Sequence, residues 1–321
     1  MSKKKKMKIE KKLSGLNLGE RASTLRLAAK IIRRSPAAMV SVIILLLYLI
    51  AAIAVVAGQV PPLPPAKSGW ENIYSPPSLR DFPWYILGTD FTGRPLFLAL
   101  VRGVPSTLFI AFLSALITVS VGVCLGLTAG YIGGIVDSII STVIEVALVI
   151  PTYLLSLILV VILPPELKTN PFILAGVLSI TAWASLARAV RSQTLSLKKR
   201  EFIDVAKTLG FSTRKIMFSE ILRYMAPYVV MNLILSMTGA IYGYTGLAFL
   251  GLMPMSSDNW GVQIFAAIRA GGALYSDRAI IALWSPIIVI VLIQYALINL
   301  ARVMEEVFNP QLRLSILGEE E

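Results

Sequence analysis

Few residues of this 321-residue chain could do covalent chemistry, and their types exclude most of it. There is no histidine, and the single cysteine, Cys124, sits inside an apolar run. Intrachain disulfides, zinc fingers and histidine-based catalysis are therefore excluded. No Gly-x-x-x-x-Gly-Lys-Ser/Thr loop is present to cradle ATP phosphates, and no Gly-Lys pair occurs at all. The remaining candidates are polar groups in apolar surroundings and one amphipathic segment. Glu145 is a carboxylate within an apolar run, expensive there unless it is paired with a neighbouring helix or serves a solute path. Asn232, Ser236 and Tyr242 mark a further apolar run and suit the lining of a pathway, while Gly239 and Gly243 beside them equally suit close helix packing. Gln294 and Asn299 are similar cases near the C-terminus.

The amphipathic segment runs from Arg200 to Met225. Phe202, Val205, Ala206 and Leu209 fall at i, i+3, i+4 and i+7, which places them on one face of a short helix. Gly210 is placed to end that helix in a left-handed conformation, and Ser212 or Thr213 can cap the next. There Phe218, Ile221, Leu222 and Met225 repeat the same spacing. A basic, polar loop has no use for such a face unless it packs on something, and a helix laid in a partner's groove supplies the reason.

The elements that position these groups are set by lipid. Hydrophobic residues make up 56% of the chain and charged ones only 15%, with a mean hydropathy of +0.76. About 20 apolar residues span a bilayer as a helix. Six such runs are expected, near residues 37–57, 103–129, 138–163, 172–190, 226–250 and 279–301. The second is expected to break at Gly130, Gly133 and Gly134. The division that follows is a basic tail with an amphipathic helix at 1–36, a first membrane helix at 37–58 and an outer loop at 59–102. A five-helix core at 103–301 carries the cytoplasmic loop 194–225, and 302–321 is a second tail. The net charge of +12 clusters beside apolar runs rather than in a nucleic-acid-binding patch. Arg188, Arg191, Lys198, Lys199, Arg200, Lys207, Arg214, Lys215 and Arg223 share one short stretch, so that stretch and both termini are expected to be cytoplasmic. The N-terminal lysine block is read as a tail touching anionic headgroups through Leu25, Leu27, Ile31 and Ile32 rather than as a signal peptide.

Four sequence elements then carry a resemblance. Asp204-Val205-Ala206, Gly210 and Ile221-Leu222 resemble the cytoplasmic coupling loop of binding-protein-dependent ABC importer permeases, with Asp204, Val205 and Arg223 departing from the usual Glu, Ala and Pro. Gly88-Thr89-Asp90-Phe91-Thr92-Gly93-Arg94 resembles the element before the second membrane helix, although Pro95 replaces the usual acid. Phe249-Leu250-Gly251-Leu252 with Asn259-Trp260-Gly261, and Asn309-Pro310-Gln311-Leu312-Arg313, complete the series in the family's order. The likeness is to the peptide/nickel subfamily, which includes oligopeptide, dipeptide and oligosaccharide importers, and to the second permease of the pair.

That resemblance implies an all-α membrane protein with six transmembrane helices and the type I ABC importer permease fold, in the plasma (inner) membrane. It implies no enzyme activity and no cofactor in this chain, with ATP and Mg on two partner ATP-binding subunits. The other partners implied are a second permease subunit and an extracytoplasmic solute-binding protein. Glu201, Asp204, Val205, Ala206, Gly210, Ile221 and Leu222 would form or support the ATPase contact. Asp90, Arg94, Asn259 and Trp260 would either meet the binding protein or simply fold the outer loops. The solute would be a short peptide or oligosaccharide. A secondary transporter driven by an ion gradient is the alternative, but it would call for an inverted repeat and several intramembrane carboxylates. A structural or assembly protein would not need the amphipathic segment.

Overall fold

The computed structural model describes residues 31–33, 35–66, 72–79, 82–255, 258–269, 272–275 and 277–308. The Asn309–Arg313 element and nearly all of the N-terminal tail lie outside them. The described chain is helical, its only β feature being a bridge between Thr89 and Pro95. In chain order α1 is Pro36–Val56, α2 Leu96–Ile132, α3 Gly134–Val149, α4 Thr152–Ile162, α5 Pro171–Ser179 and α6 Trp183–Leu197. The short α7 is Glu201–Thr208, α8 is Thr213–Phe249, α9 is Trp260–Arg269 and α10 is Ile280–Phe308. Four of these, α1, α2, α8 and the segment containing α10, are long and apolar enough to cross a membrane, or up to six if each bent pair counts as one span.

Ser35 starts α1 by accepting a hydrogen bond from the Ala38 amide at 3.3 Å, with Pro36 at the first helical position. Ile43, Leu46, Leu47, Ile50 and Ile53 on that helix are 50–61% exposed, a surface that is stable only against an apolar solvent. Ile31 and Ile32 pack instead on Val303 and Val307 of α10, so this described end of the tail meets protein where headgroup contact was expected.

The spans differ from their sequence readings in instructive ways. The run expected at 138–163 is two helices meeting at 76°, and the break falls at Pro151. Proline holds Ile150 in an extended conformation, which no helix can continue. The run expected at 172–190 is also two helices, α5 and α6, bent by 55°. The fifth run begins 13 residues early, because α8 starts at Thr213 and runs without interruption through a π-helical turn at Ile216–Ile221. Glycine ends α2 at Gly133, in a left-handed conformation with φ 78°, but Gly130 lies within the helix.

Gly130 has another use. Gly122, Gly126 and Gly130 recur every fourth residue along α2 and form the seam against α6. A Cβ on Gly126 would lie 2.6 Å from the Ala187 carbonyl oxygen and 2.7 Å from Val190 Cβ. Such contact is possible only with hydrogen in place of a side chain. The helix α2 therefore carries α6 on one side and α8, α5 and α1 on the others.

Candidate functional site

The two bent pairs meet at one polar point. Thr181, in the break between α5 and α6, donates to Thr152 at the start of α4 across 2.8 Å. One turn further along α4, Ser156 Oγ donates to the Val177 carbonyl at 3.1 Å. The Trp183 indole N–H supplies a donor to the Ile180 carbonyl left free by the break, at 2.9 Å.

Thr152, Ser156 and Thr181 line a cavity of about 650 Å³ between α2, α4, the α5–α6 break and α8. Four helical segments each contribute a pair of polar residues one turn apart: Ser114 and Thr118, Thr152 and Ser156, Thr181 and Ser185, Asn232 and Ser236. No charged side chain lines it among the described residues. Asn232, Ser236 and Tyr242 thus come together on one wall, with the Asn232 amide donating back to Tyr228 O at 2.8 Å. Tyr242 is 56% exposed on that wall. Gly239 has nothing within 4 Å of a notional Cβ and faces the space, whereas Gly243 is pressed against Leu178. The other three polar pairs were not singled out in the sequence, although their i, i+4 spacing within apolar runs is a readable signal.

Glu145 does not join this wall. It lies exposed on α3, whose neighbours Ile144 and Ala147 turn inward against Ala184 and Ala187 of α6. The ionic link between α3 and α6 is made by a different acid. Asp137, in the first turn of α3, accepts from Arg191 in bidentate fashion, with Nε at 2.5 Å and Nη2 at 2.7 Å. Lys198 at the end of α6 donates to the Tyr131 carbonyl of α2. Gln294 ties α10 to α8 by donating to Thr238 O at 3.1 Å, and Asn299 donates to Tyr295 O of its own helix.

At the end of α6 the chain turns into α7. Gly210 closes that helix with φ 74°, its N–H donating to Lys207 O at 2.9 Å while the Phe211 N–H reaches Ala206 O at 3.1 Å. This is the expected left-handed stop. The expected face is divided, with Val205 and Leu209 outward and Ala206 inward. Ile203 and Ala206 turn inward, fully or nearly buried, and join a core cluster with Val119, Val123 and Leu127 of α2, Val190 of α6 and Ile221 of α8. Val205 and Leu209 turn outward and are 57% and 66% exposed. Ala206 and Ile221 therefore support the segment from within, Leu222 is partly buried beside them, and Val205 and Leu209 present the free apolar surface. In α8 the π turn brings Ile216, Met217, Ile221 and Met225 inward and leaves Phe218 exposed.

Glu201 and Asp204 are exposed in the first turn of α7, where carboxylates favour the helix dipole. Asp204 also bonds Lys207 at 2.9 Å, which raises the lysine pKa. Phe202 stacks on Tyr224 with ring centroids 4.9 Å apart.

The loop residues fold the opposite end of the bundle. Asp90 Oδ1 accepts from the Thr92 amide and hydroxyl, both at 2.7 Å, and from the Arg94 amide at 3.0 Å. Asn259 caps α9 by accepting from the Gly261 amide, and Trp260, with no exposed surface, donates its indole N–H to Leu100 O at 3.0 Å. Trp260 also meets Tyr48 of α1 edge-to-face at 5.9 Å. Asn259 and Trp260 are consequently interior joints, sealed from any docking protein, because Gly103 opens the space that the indole fills. The glycine of Phe249-Leu250-Gly251-Leu252 ends α8 at φ 78°, with the Leu252 N–H reaching Leu247 O at 3.2 Å.

Comparison with known proteins agrees with this arrangement. Residues 122–314 match the family described as binding-protein-dependent transport system inner membrane component. The oligopeptide transport system permease protein OppC of Bacillus subtilis is 30% identical over 232 residues, covering 72% of this chain and 73% of its own. OppC of Mycobacterium tuberculosis (strain H37Rv) is 31% identical over 237 residues, covering 72% and 77%. OppC of Lactococcus lactis subsp. cremoris is 32% identical over 181 residues, which is 56% of this chain and 60% of the relative's length. The chain belongs to the family of binding-protein-dependent transport system inner membrane components.

Proposed function

We propose that this chain is a permease subunit of an ATP-driven importer and forms half of the passage for a short peptide. In this reading the polar cavity is the passage, α7 seats in a groove of an ATP-binding subunit, and a second permease supplies the other half. The chain crosses the membrane six times with both ends in the cytoplasm, ATP and Mg stay on the two partner ATP-binding subunits, and an extracytoplasmic solute-binding protein delivers the solute. Peptide is favoured over oligosaccharide because the relatives above are named for oligopeptide transport.

The observation that carries the reading is the pair Val205 and Leu209, exposed on a helix whose other face is locked into the core. Two apolar side chains held out in this way, on a basic segment, are suited to a partner's groove. The rigid α2–α6 seam joins them to the cavity wall. The test is co-purification of the tagged chain from its native membrane. Wild type is expected to bring down ATP-binding subunits, and Leu209→Glu is expected to lose them while the chain remains folded in the membrane. Retention of those subunits by Leu209→Glu and by the Val205→Glu, Leu209→Glu double variant would sink the proposal.

A further inference from the structure

A second cavity, of about 330 Å³, lies at the N-terminal end of α2. The helix spans 37 residues, about 55 Å at 1.5 Å per residue, so this cavity is remote from α7 at the other end. Three of its lining residues carry a buried polar atom with no hydrogen-bond partner among the described residues: Tyr74 Oη, Arg94 Nε and Gln263 Oε1. Native proteins rarely leave such atoms unpaired, and three around one space call for an occupant. The Gln263 amide nitrogen donates to Ala99 O at 3.0 Å, which leaves Oε1 as the unpaired end of the amide. Tyr74 is held in a left-handed conformation at φ 49°, uncommon for a side chain of its size, with its N–H donating to Asp90 O at 3.2 Å. Burial, helped by Asp90, pushes its phenol up to about 12, so it remains a hydrogen-bond donor.

The rest of the lining decides what the occupant is. Two carboxylates face the space, Asp90 and Asp258, the latter 3.4 Å from Arg102. Among the described residues Arg94 is the only cation in the lining, and most of the remaining wall is apolar, with Leu63, Phe91, Met255 and Val262. A simple anion would meet two carboxylates, and a simple cation would meet Arg94. A polyol would pair the polar atoms but set hydroxyls against the apolar wall. A molecule with a carboxylate, an ammonium and an apolar side chain satisfies every group.

We propose that this cavity binds a small zwitterion of the α-amino acid type. Its carboxylate meets Arg94 and Tyr74, its ammonium meets Gln263 Oε1 and the aspartates, and its side chain lies against the apolar wall. The three unpaired atoms have no surface open to the cavity, so binding turns the Tyr74, Arg94 and Gln263 side chains toward the ligand. The site stands apart from the proposed passage and does not rest on it. A phosphoethanolamine lipid headgroup shares the pairing of anion and ammonium, and the test separates the two.

The full chain, with whatever subunits co-purify, is placed in nanodiscs containing phosphatidylglycerol as the only lipid, and binding of radiolabelled L-leucine is measured by equilibrium dialysis. Saturable binding at one site per chain is expected, with N-acetyl-L-leucine and L-leucinamide failing to compete. Tyr74→Phe and Gln263→Leu should each weaken binding about 3- to 10-fold, the value of one hydrogen bond. Tyr74→Phe should unfold no earlier than wild type without ligand, because the hydroxyl it removes has no partner. The proposal is overturned by absence of saturable binding at millimolar leucine, or by competition from maltose. It is also overturned if phosphoethanolamine displaces leucine more strongly than leucine itself does, or if Ser236→Ala abolishes binding and Tyr74→Phe does not.

Discussion

Replacing Gly126 with alanine tests whether the α2–α6 seam is as tight as its geometry implies. The added methyl would begin 2.6 Å from the Ala187 carbonyl oxygen, 2.7 Å from Val190 Cβ and 2.8 Å from Val190 Cγ1. The nearest atom is backbone, so no rotamer change relieves it. To restore an ordinary contact of 3.4 Å, α6 must retreat by about 0.8 Å (3.4 − 2.6). Overpacking of this kind costs about 1–3 kcal/mol. Against this stands the gain of roughly 0.5–1 kcal/mol from removing a glycine within a helix. Gly176 in α5 isolates the second effect, because a Cβ there has nothing within 4 Å. Gly176→Ala should therefore stabilise slightly, and Gly126→Ala should fall about 1–3 kcal/mol below it. The assay is thermal unfolding of the two variants in the same detergent, followed by circular dichroism. Equal midpoints for the two would refute the seam. In a transport assay Gly126→Ala should also lower the rate, since a displaced α6 displaces α7 with it.

The remaining predictions are shorter. Gly210→Ala meets no atom, so its cost is the left-handed backbone alone, about 1–2 kcal/mol, and Gly210→Val should leave membrane insertion intact yet abolish uptake; normal uptake by the valine variant would contradict the role given to this turn. Asp137→Asn removes the charge from the bidentate link to Arg191, whose side chains are 18% and 31% exposed, and should destabilise by about 1–2 kcal/mol in an unfolding assay, with Arg191→Gln adding little in a double-mutant cycle. Trp260→Phe leaves the Leu100 carbonyl without its donor and opens space beside Gly103, so stability should fall by about 2 kcal/mol, whereas an exposed docking tryptophan would leave the unfolding midpoint unchanged.

What could be read from sequence was local. Gly210, Gly133 and Gly251 announce helix ends because the left-handed residue that stops a helix is a property of a few adjacent residues. Asp90 announces a turn for the same reason, whereas the capping role of Asn259 shows only in the fold. The inward face of α7 was not legible, because Phe202, Ile203, Val205, Ala206 and Leu209 are apolar around most of the helix. Such a helix has two apolar faces, one for its own core and one for elsewhere, and spacing alone does not rank them. The 76° bend has a visible cause in Pro151, but the α5–α6 break at Ile180–Ala182 contains neither proline nor glycine. It depends on partners distant in sequence, Thr152 among them. Gly130 reads as a breaker for the same reason: only the position of Thr194, 2.7 Å from its notional Cβ, reveals a contact surface.

The junction of Thr152 with Thr181 has a consequence for any polar molecule entering the cavity that they line. Among the described residues its walls offer hydroxyls and one carboxamide, with no fixed charge. These are the groups that water itself offers, donors and acceptors of moderate strength spread over a surface. A wall of this composition acts as a substitute solvent rather than a receptor. It replaces part of a hydration shell without holding one chemical identity more firmly than another, and it gives no deep energy well in which a molecule would stall.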